Sequence, residues 1–381
     1  MKIVLNGVET NNKGAELMLY AILQEIERRF PKATVMLPSC NIRQGYSYIK
    51  TSLNFRDLSN GKIIQFLNKF HIPGIMRRLH LPYFQFTEYR RVNNADYFID
   101  GSGFTFSDKW NHGKCSYNVW NYRLDHYRKQ GTKIVFLPQA FGPIEKEGTK
   151  RLVSLLSDKA SLIIPREHKS YEYLRNASVN MSKVKMFTDF TSLVDGYVPK
   201  EYTHLQGKVA FIPNLRMVDK GTMSMTSYLN LMMNMIDCVR SKGYGVYLLN
   251  HEGIGDEELC FKIRECVGDI DIVTGINALE VKGIISTAYM CITSRFHGLA
   301  SSLNTGVPCL AIGWSHKYEE LYKDYGIEGC LLDIKNVDKI KDKIVWLLDS
   351  ENNRNMREKL QTRFPLIQQE TRNMWELIWQ L

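Results

Sequence analysis

The sequence predicts an α/β protein built as two Rossmann-like domains facing a cleft. Short β-branched and apolar runs alternate with stretches of helical period, the pattern of parallel sheets joined by crossover helices. The alternation lapses once, over 194–207, where Gly and Pro punctuate a stretch without period, and then starts afresh. A length of 381 residues also suits two domains at about 150 residues each.

The elements follow in order. Lys2–Leu5 reads as a strand, and Asn11-Asn12-Lys13-Gly14 leads into a helix whose Met18, Ile22, Ile26 and Phe30 recur every four residues before Pro31. Further strands are predicted at Ala33–Leu37, Tyr97–Asp100, Lys133–Leu137, Leu162–Ile164 and Val184–Phe187. The second half opens with a strand at 208–213, a helix from Thr226 to Lys242 and a strand at Val246–Asn250. Strands at Asp271–Thr274, Tyr289–Thr293 and Val307–Ile312 then alternate with helices at Ala278–Ser286, Phe296–Leu303 and Tyr318–Tyr325. From Val337 the chain reads as helix with a break at Pro365, leaving Leu366–Leu381 as a Trp-rich amphipathic end. The expected domains are 1–195 and 206–365, with 366–381 packing back on the first.

Composition bounds the function. With 44% hydrophobic and 24% charged residues, the chain can bury real cores, which excludes global disorder. No run approaches the roughly 18 apolar residues of a spanning helix, and Met1–Gly7 reads as a strand rather than a secretion signal, so a cytoplasmic protein is expected. The eight cysteines (Cys40, Cys115, Cys238, Cys260, Cys266, Cys291, Cys309, Cys330) form no CxxC and no paired Cys/His spacing, so neither a disulfide scaffold nor a metal site is predicted. Cys291 and Cys309 lie in apolar runs and read as core filler.

The formal charge of +10 favours an anionic partner. Between Lys62 and Arg91, six basic residues (Lys62, Lys69, Arg77, Arg78, Arg90, Arg91) face one acid, Glu88, and are interleaved with Ile63, Phe66, Phe70, Ile75, Phe84 and Phe86. That mixture suits peripheral contact with anionic lipid on the inner face of the plasma membrane. An ordinary amphipathic helix pair on the core reads equally well. Nucleic acid is disfavoured, since no reading helix or zinc knuckle accompanies the charge.

The densest chemistry is at Ser294-Arg295-Phe296-His297-Gly298, where a buried strand gives way to a helix. Free N–H groups at that helix start attract anions. Arg295 adds a bidentate fork for carboxylate or phosphate, and His297 a group that moves protons near neutral pH. A loop-capping Arg and a satisfied core His would spell the same letters. Arg216, after the strand at 208–213, supplies another guanidinium. In the first half three strand ends carry polar residues beside glycine: Asn6-Gly7, Asp100-Gly101-Ser102-Gly103 and Gln139-Ala140-Phe141-Gly142. Glycines let a ligand approach the backbone, and Asp and Gln suit hydroxyls. A polar first half for a hydroxylated acceptor and a cationic second half for an anionic donor point to group transfer.

These residues resemble the polysaccharide pyruvyl transferases nearly end to end: Asn12-Lys-Gly-Ala-Glu16-Leu-Met18, Ile99-Asp-Gly-Ser-Gly-Phe104, Leu137-Pro-Gln-Ala-Phe-Gly-Pro143, Arg166 with Ser170-Tyr171, Thr188-Asp189, Pro213-Asn-Leu-Arg-Met217, Ser294-Arg-Phe-His-Gly-Leu299 and Gly313-Trp-Ser-His-Lys-Tyr-Glu-Glu320. The resemblance implies a GT-B-like fold and a pyruvyl unit moved from phosphoenolpyruvate onto a sugar as a cyclic ketal. It implies that Arg216, Arg295 and His297 form the catalytic set, with Ser294 and Lys317 joining them around the donor. Asn12, Glu16, Asp100, Ser102, Gln139 and Arg166 are then the expected acceptor residues. No cofactor or metal is expected beyond phosphoenolpyruvate as co-substrate. The implied acceptor is galactose or an N-acetylhexosamine, ketalated at the 4,6 positions of a lipid-linked or polymeric glycan of capsule, exopolysaccharide or cell wall. The alternatives are a nucleotide-sugar glycosyltransferase on the same frame and a non-catalytic protein of glycan assembly.

Overall fold

The computed structural model describes residues 1–37, 51–57, 92–110, 112–219, 222–313 and 316–381. The basic, apolar segment 62–91 and Cys40 lie outside the described residues. The chain divides into two compact units, one of Met1–Thr10, Met18–Phe190 and Arg372–Leu381, the other of Asn11–Leu17 and Thr191–Thr371.

The first unit holds β1 (Lys2–Asn6), most of α1 (Lys13–Arg29), β2 (Thr34–Leu37), β3 (Asn54–Asp57), β4 (Tyr97–Asp100), α2 (Lys114–Lys129), β5 (Lys133–Gln139), α3 (Glu147–Lys159), β6 (Leu162–Pro165) and α4 (His168–Asn176). Its strands are parallel and ordered β3-β2-β1-β4-β5-β6, the arrangement of a doubly wound sheet. Apart from β3, the strands are mostly apolar runs, as strands covered on both faces must be. Phe98, Phe136 and Val4 are wholly buried, packed with Phe106, Tyr127 and Leu152.

The second unit repeats the plan with β7 (Val209–Ile212), α5 (Arg216–Asp219), α6 (Met225–Ser241), β8 (Val246–Leu249), α7 (Gly253–Val267), β9 (Asp271–Val273), α8 (Ala278–Ser286), β10 (Met290–Thr293), α9 (Phe296–Asn304), β11 (Cys309–Ala311), α10 (Lys317–Asp324), α11 (Val337–Leu348) and most of α12 (Ser350–Trp379). Its parallel order is β11-β10-β7-β8-β9. Helix starts are set by local chemistry. Ser224 accepts from Ser227 N at 3.1 Å ahead of α6. Asn277 and Glu280 form a reciprocal capping box on α8.

The structure departs from the sequence reading in several places. Val184–Phe187 is no strand: beside β6 it forms only an isolated bridge, Ile163 to Val184, with Lys185 N and Phe187 N donating to the Ile163 and Pro165 carbonyls at 3.2 and 3.3 Å. Asn54–Asp57 forms the outer strand β3, which no sequence signal announced. The break expected at Pro365 is absent, and α12 runs through it for 30 residues. Met356, Leu360, Ile367, Met374, Trp375 and Ile378 are all buried and fall at helical spacing on both sides of the proline, so one continuous apolar stripe outweighs the lost backbone hydrogen bond. At its end Trp379 meets Phe30 and Tyr97 edge-on, each at 5.1 Å, and its indole N–H donates to Glu25 at 3.0 Å. Among the described residues, no helix is long and apolar enough to cross a membrane.

Candidate active site

In an open parallel sheet, ligands bind beyond the carboxyl ends of the strands where the strand order reverses. In the second unit that point lies between β7 and β10, which are neighbours. The residues following them are Asn214-Leu215-Arg216 and Ser294-Arg295-Phe296-His297. Backbone and side-chain bonds lock these turns together. Asn214 Nδ2 and the Tyr318 hydroxyl both donate to the Ser294 carbonyl, at 2.7 and 2.8 Å. Asn214 N donates to the Tyr228 hydroxyl at 3.0 Å, which in turn lies 3.0 Å from Ser294 Oγ. Burial pushes the Tyr228 hydroxyl up to about 12, so it stays protonated. Ser294 therefore holds the frame with its side chain. Gly298 is needed in the first turn of α9, because a Cβ there would lie 2.6 Å from Thr293 Oγ1.

Arg295 is the buried centre of this switch point. Its Nε and Nη2 donate to Asp256 at 2.8 and 2.6 Å, and its Nη1 pairs with Glu252. Asp256 Oδ1 also accepts from Leu215 N at 2.9 Å, so one carboxylate ties the β7 loop to the β10 loop. Burial raises the Asp256 carboxyl and lowers the Arg295 guanidinium. Both directions express the cost of removing a charge from water, which their two-bond contact offsets. Arg216 is half exposed; its Nη2 lies 3.5 Å from Glu252 and its Nη1 3.6 Å from Asp219. The two arginines thus share Glu252.

Residues 11–17 join this cluster rather than the first unit. Asn12 bridges Glu252, and Lys13 N donates to the His251 carbonyl at 3.1 Å. Asn12 Oδ1 caps α1 by accepting from Gly14 N at 2.9 Å. Lys13 Nζ pairs with the buried Glu16 at 2.7 Å. Gly14 lies flat against His297: any Cβ there would collide with the imidazole. His297 also meets Phe296 edge-on at 5.2 Å. Lys317 places its ammonium 5.1 Å from the centre of the Phe296 ring. His251 is wholly buried, and its pKa is pushed well below the ordinary value by burial, then by Arg295, His297 and Lys13. It is neutral at physiological pH.

The first unit's switch point lies between β1 and β4. Asp100 is fully buried and accepts from four donors: Asn6 Nδ2 (2.6 Å), Ser102 Oγ (2.9 Å), Ser102 N (3.2 Å) and Gln139 Nε2 (3.3 Å). Burial raises its pKa against those donors. Arg123 Nη1 donates to Asn6 Oδ1 at 2.9 Å and stacks over Trp120. A Cβ at Gly7 would overlap Ser102, and the residue's φ is +74°, so only glycine fits. Arg166 is buried beside Glu167 and Asp189, with its Nη1 3.6 Å from Asp189.

Of the residues singled out by sequence, the structure brings Arg216, Ser294, Arg295, His297 and Lys317 into the second unit's cluster, together with Asn12 and Glu16. Asp100, Ser102, Gln139 and Arg166 are in the first unit. Among the described residues, no group of three or more His, Cys, Asp or Glu side chains could hold a metal ion.

A sequence model of the polysaccharide pyruvyl transferases matches residues 12–316. The chain belongs to the polysaccharide pyruvyl transferase family. Amylovoran biosynthesis protein AmsJ of Erwinia amylovora is 22% identical over 382 residues, covering 88% of this chain and 89% of that protein. Among solved structures, the UDP-GlcNAc 2-epimerase of Neisseria meningitidis bound to UDP-GlcNAc is similar at a TM-score of 0.61 and 11% identity, with 100% of each chain covered. Anabaena Alr3699/HepE in complex with UDP and glucose gives 0.60 and 11%, again over 100% of both chains. At such identity these likenesses speak for fold alone, and that fold is GT-B-like.

For this pyruvyl transferase family member, sequence reasoning passed over His251, Glu252 and Asp256. The signal was present in Asn250-His251-Glu252-Gly253-Ile254-Gly255-Asp256, a polar, glycine-punctuated strand end like the others. Its importance emerges only from the pairing of β8 with β7, which sets that loop beside Arg216.

Proposed function

We propose that the chain transfers pyruvate from phosphoenolpyruvate to two hydroxyls of a sugar, forming a cyclic ketal and releasing phosphate. The observation that supports this most is the convergence of Arg216, Arg295 and His297 at one switch point. Phosphoenolpyruvate carries a carboxylate and a phosphate, and two guanidiniums, Lys317 and the start of α9 are suited to such a doubly anionic donor. In the proposed reaction an acceptor hydroxyl oxygen bonds to the central carbon while the methylene gains a proton and becomes a methyl group. The hydroxyl proton passes to a base. A second hydroxyl oxygen then displaces phosphate from the same carbon, its proton passing to the departing phosphate, and closes the ring. His297 is the proposed proton carrier, with Gly14 fixing its ring.

On this reading the acceptor meets the first unit, where Ser102, Gln139 and Arg166 offer polar groups and Asp100 acts by holding Ser102. A galactose or N-acetylhexosamine in a polymeric or lipid-linked glycan is the proposed acceptor, and AmsJ's part in amylovoran biosynthesis supports a polymer. Segment 62–91 is proposed to rest on anionic lipid at the cytoplasmic membrane face. Neutralising Arg77, Arg78, Arg90 and Arg91 should then weaken binding to anionic vesicles, and unchanged binding would refute that contact.

The reaction is tested by following phosphate release from phosphoenolpyruvate with galactosides and N-acetylhexosaminides as acceptors. Acceptor-dependent release supports the proposal. Release of nucleotide from a UDP-sugar, with phosphoenolpyruvate untouched, would favour the glycosyltransferase alternative, which UDP-bound relatives of the same fold make worth assaying.

A further inference from the structure

We infer that Glu252 occupies, as an internal carboxylate, the anion position that the donor must take, and so sets donor affinity from within the chain. This rests on the reading of the second unit's switch point as the donor site. The two acids that hold Arg295 differ in every respect that matters for exchange. Asp256 is 1% exposed and bound at both oxygens, with Oδ1 taking Leu215 N and Arg295 Nη2 and Oδ2 taking Arg295 Nε. It has nowhere to go. Glu252 is 22% exposed at its side chain and makes monodentate contacts, Oε2 to Arg295 Nη1 and Oε1 to Arg216 Nη2 at 3.5 Å.

The backbone of Glu252 is pinned. Its N–H donates to Asn250 Oδ1 at 3.2 Å and its strand bridge is to Asn12. Only a side-chain rotation toward water is needed to vacate both guanidiniums, and a residue outside the core makes such a rotation readily. What leaves is a carboxylate spanning Arg216 and Arg295, so what enters most naturally is a carboxylate spanning the same two groups. Asp256 then keeps Arg295 aimed throughout. The exchange keeps a carboxylate against both guanidiniums, whereas an empty site would leave the buried Arg295 Nη1 without its acceptor while Asp256 holds only Nε and Nη2. The cost is competition: every donor molecule must displace an anion held at high effective concentration.

The test compares wild type with Glu252→Gln, which keeps size and polarity and removes the charge, and with Glu252→Ala. Dissociation constants are measured calorimetrically for phosphoenolpyruvate and, separately, for oxalate, a carboxylate probe independent of the donor assignment. Glu252→Gln and Glu252→Ala should each bind oxalate about tenfold more tightly than wild type, equivalent to about 1.4 kcal/mol, and phosphoenolpyruvate likewise if it is the donor. Tighter oxalate with no phosphoenolpyruvate binding would keep the internal-anion role and remove the donor assignment. Unchanged or weaker binding of oxalate in both variants, with the fold intact by circular dichroism, would overturn the inference.

Discussion

At the first sheet's switch point a buried carboxylate, Asp100, is held by four uncharged donors; at the second a buried guanidinium, Arg295, is held by two carboxylates. The first arrangement is complete: the bonds to Asp100, at the end of β4, come from β1, β5 and the loop after β4, so it fixes the shape of three strand ends. The second holds more charge, and part of it lies in reach of solvent at Glu252 and Arg216. A fully bonded network of uncharged donors rigidifies a site, while paired ions leave partners that an incoming anion can replace. The same sheet topology thus carries a fixed platform in one unit and an exchangeable ionic centre in the other.

The strongest way to break this contrast is to remove Arg295. Arg295→Ala leaves Asp256 buried without its partner and should cost about 3–5 kcal/mol in chemical denaturation. The double variant Arg295→Met, Asp256→Leu should recover most of that stability while remaining inactive. A single variant as stable as wild type would show that the pair is not the buried centre described.

Removing His297 separates chemistry from architecture. His297→Ala should lower turnover about a hundredfold or more with little change in stability, read from the rate of phosphate release. Retained turnover would exclude the imidazole as proton carrier.

In the first unit, Asp100→Asn turns one accepting oxygen into a donor facing other donors. A loss of about 1–3 kcal/mol is expected, measured by urea denaturation. No loss would mean the side chain is already protonated in the folded protein.

The smallest effect is on pH. His251 has a folded pKa well below the 6.5 of an unperturbed imidazole, so the unfolded chain binds the extra proton. Its stabilising contribution is complete above pH 6.5 and is lost as pH falls below that, at up to about 1.4 kcal/mol per pH unit. Asp100, with a raised pKa, acts oppositely: its contribution is complete below the unfolded value of 3.8 and is lost as pH rises through the folded one. His251→Gln should flatten the acid limb below pH 6.5, and an unaltered limb would contradict the assignment.

The sheets were legible in the sequence because parallel strands buried on both faces must be apolar runs, and nearly all of those runs are strands. What escaped notice was fixed by tertiary packing. The polar outer strand Asn54–Asp57 lacks such a run, and Pro365 is carried by a stripe of buried side chains on either side of it. The candidate site was half legible. Arg295, His297 and Arg216 stand next to strand ends and announce themselves, but their counter-ions come from a different loop. Position in the chain groups Asn12 and Glu16 with the first unit, whereas the Lys13–His251 bond carries that segment to the second. Charge balance is a property of neighbours in space, so the sequence displayed the cations without the acids that hold them.

The most direct test of the central claim uses Arg216, the exposed member of the cluster, since its loss leaves the buried pair intact. The thermal midpoint of wild type and Arg216→Ala is measured with phosphoenolpyruvate and with UDP-N-acetylglucosamine. A phosphoenolpyruvate-dependent rise in wild type that disappears in Arg216→Ala is the predicted result. A rise with the nucleotide sugar alone, unaffected by the substitution, would contradict it.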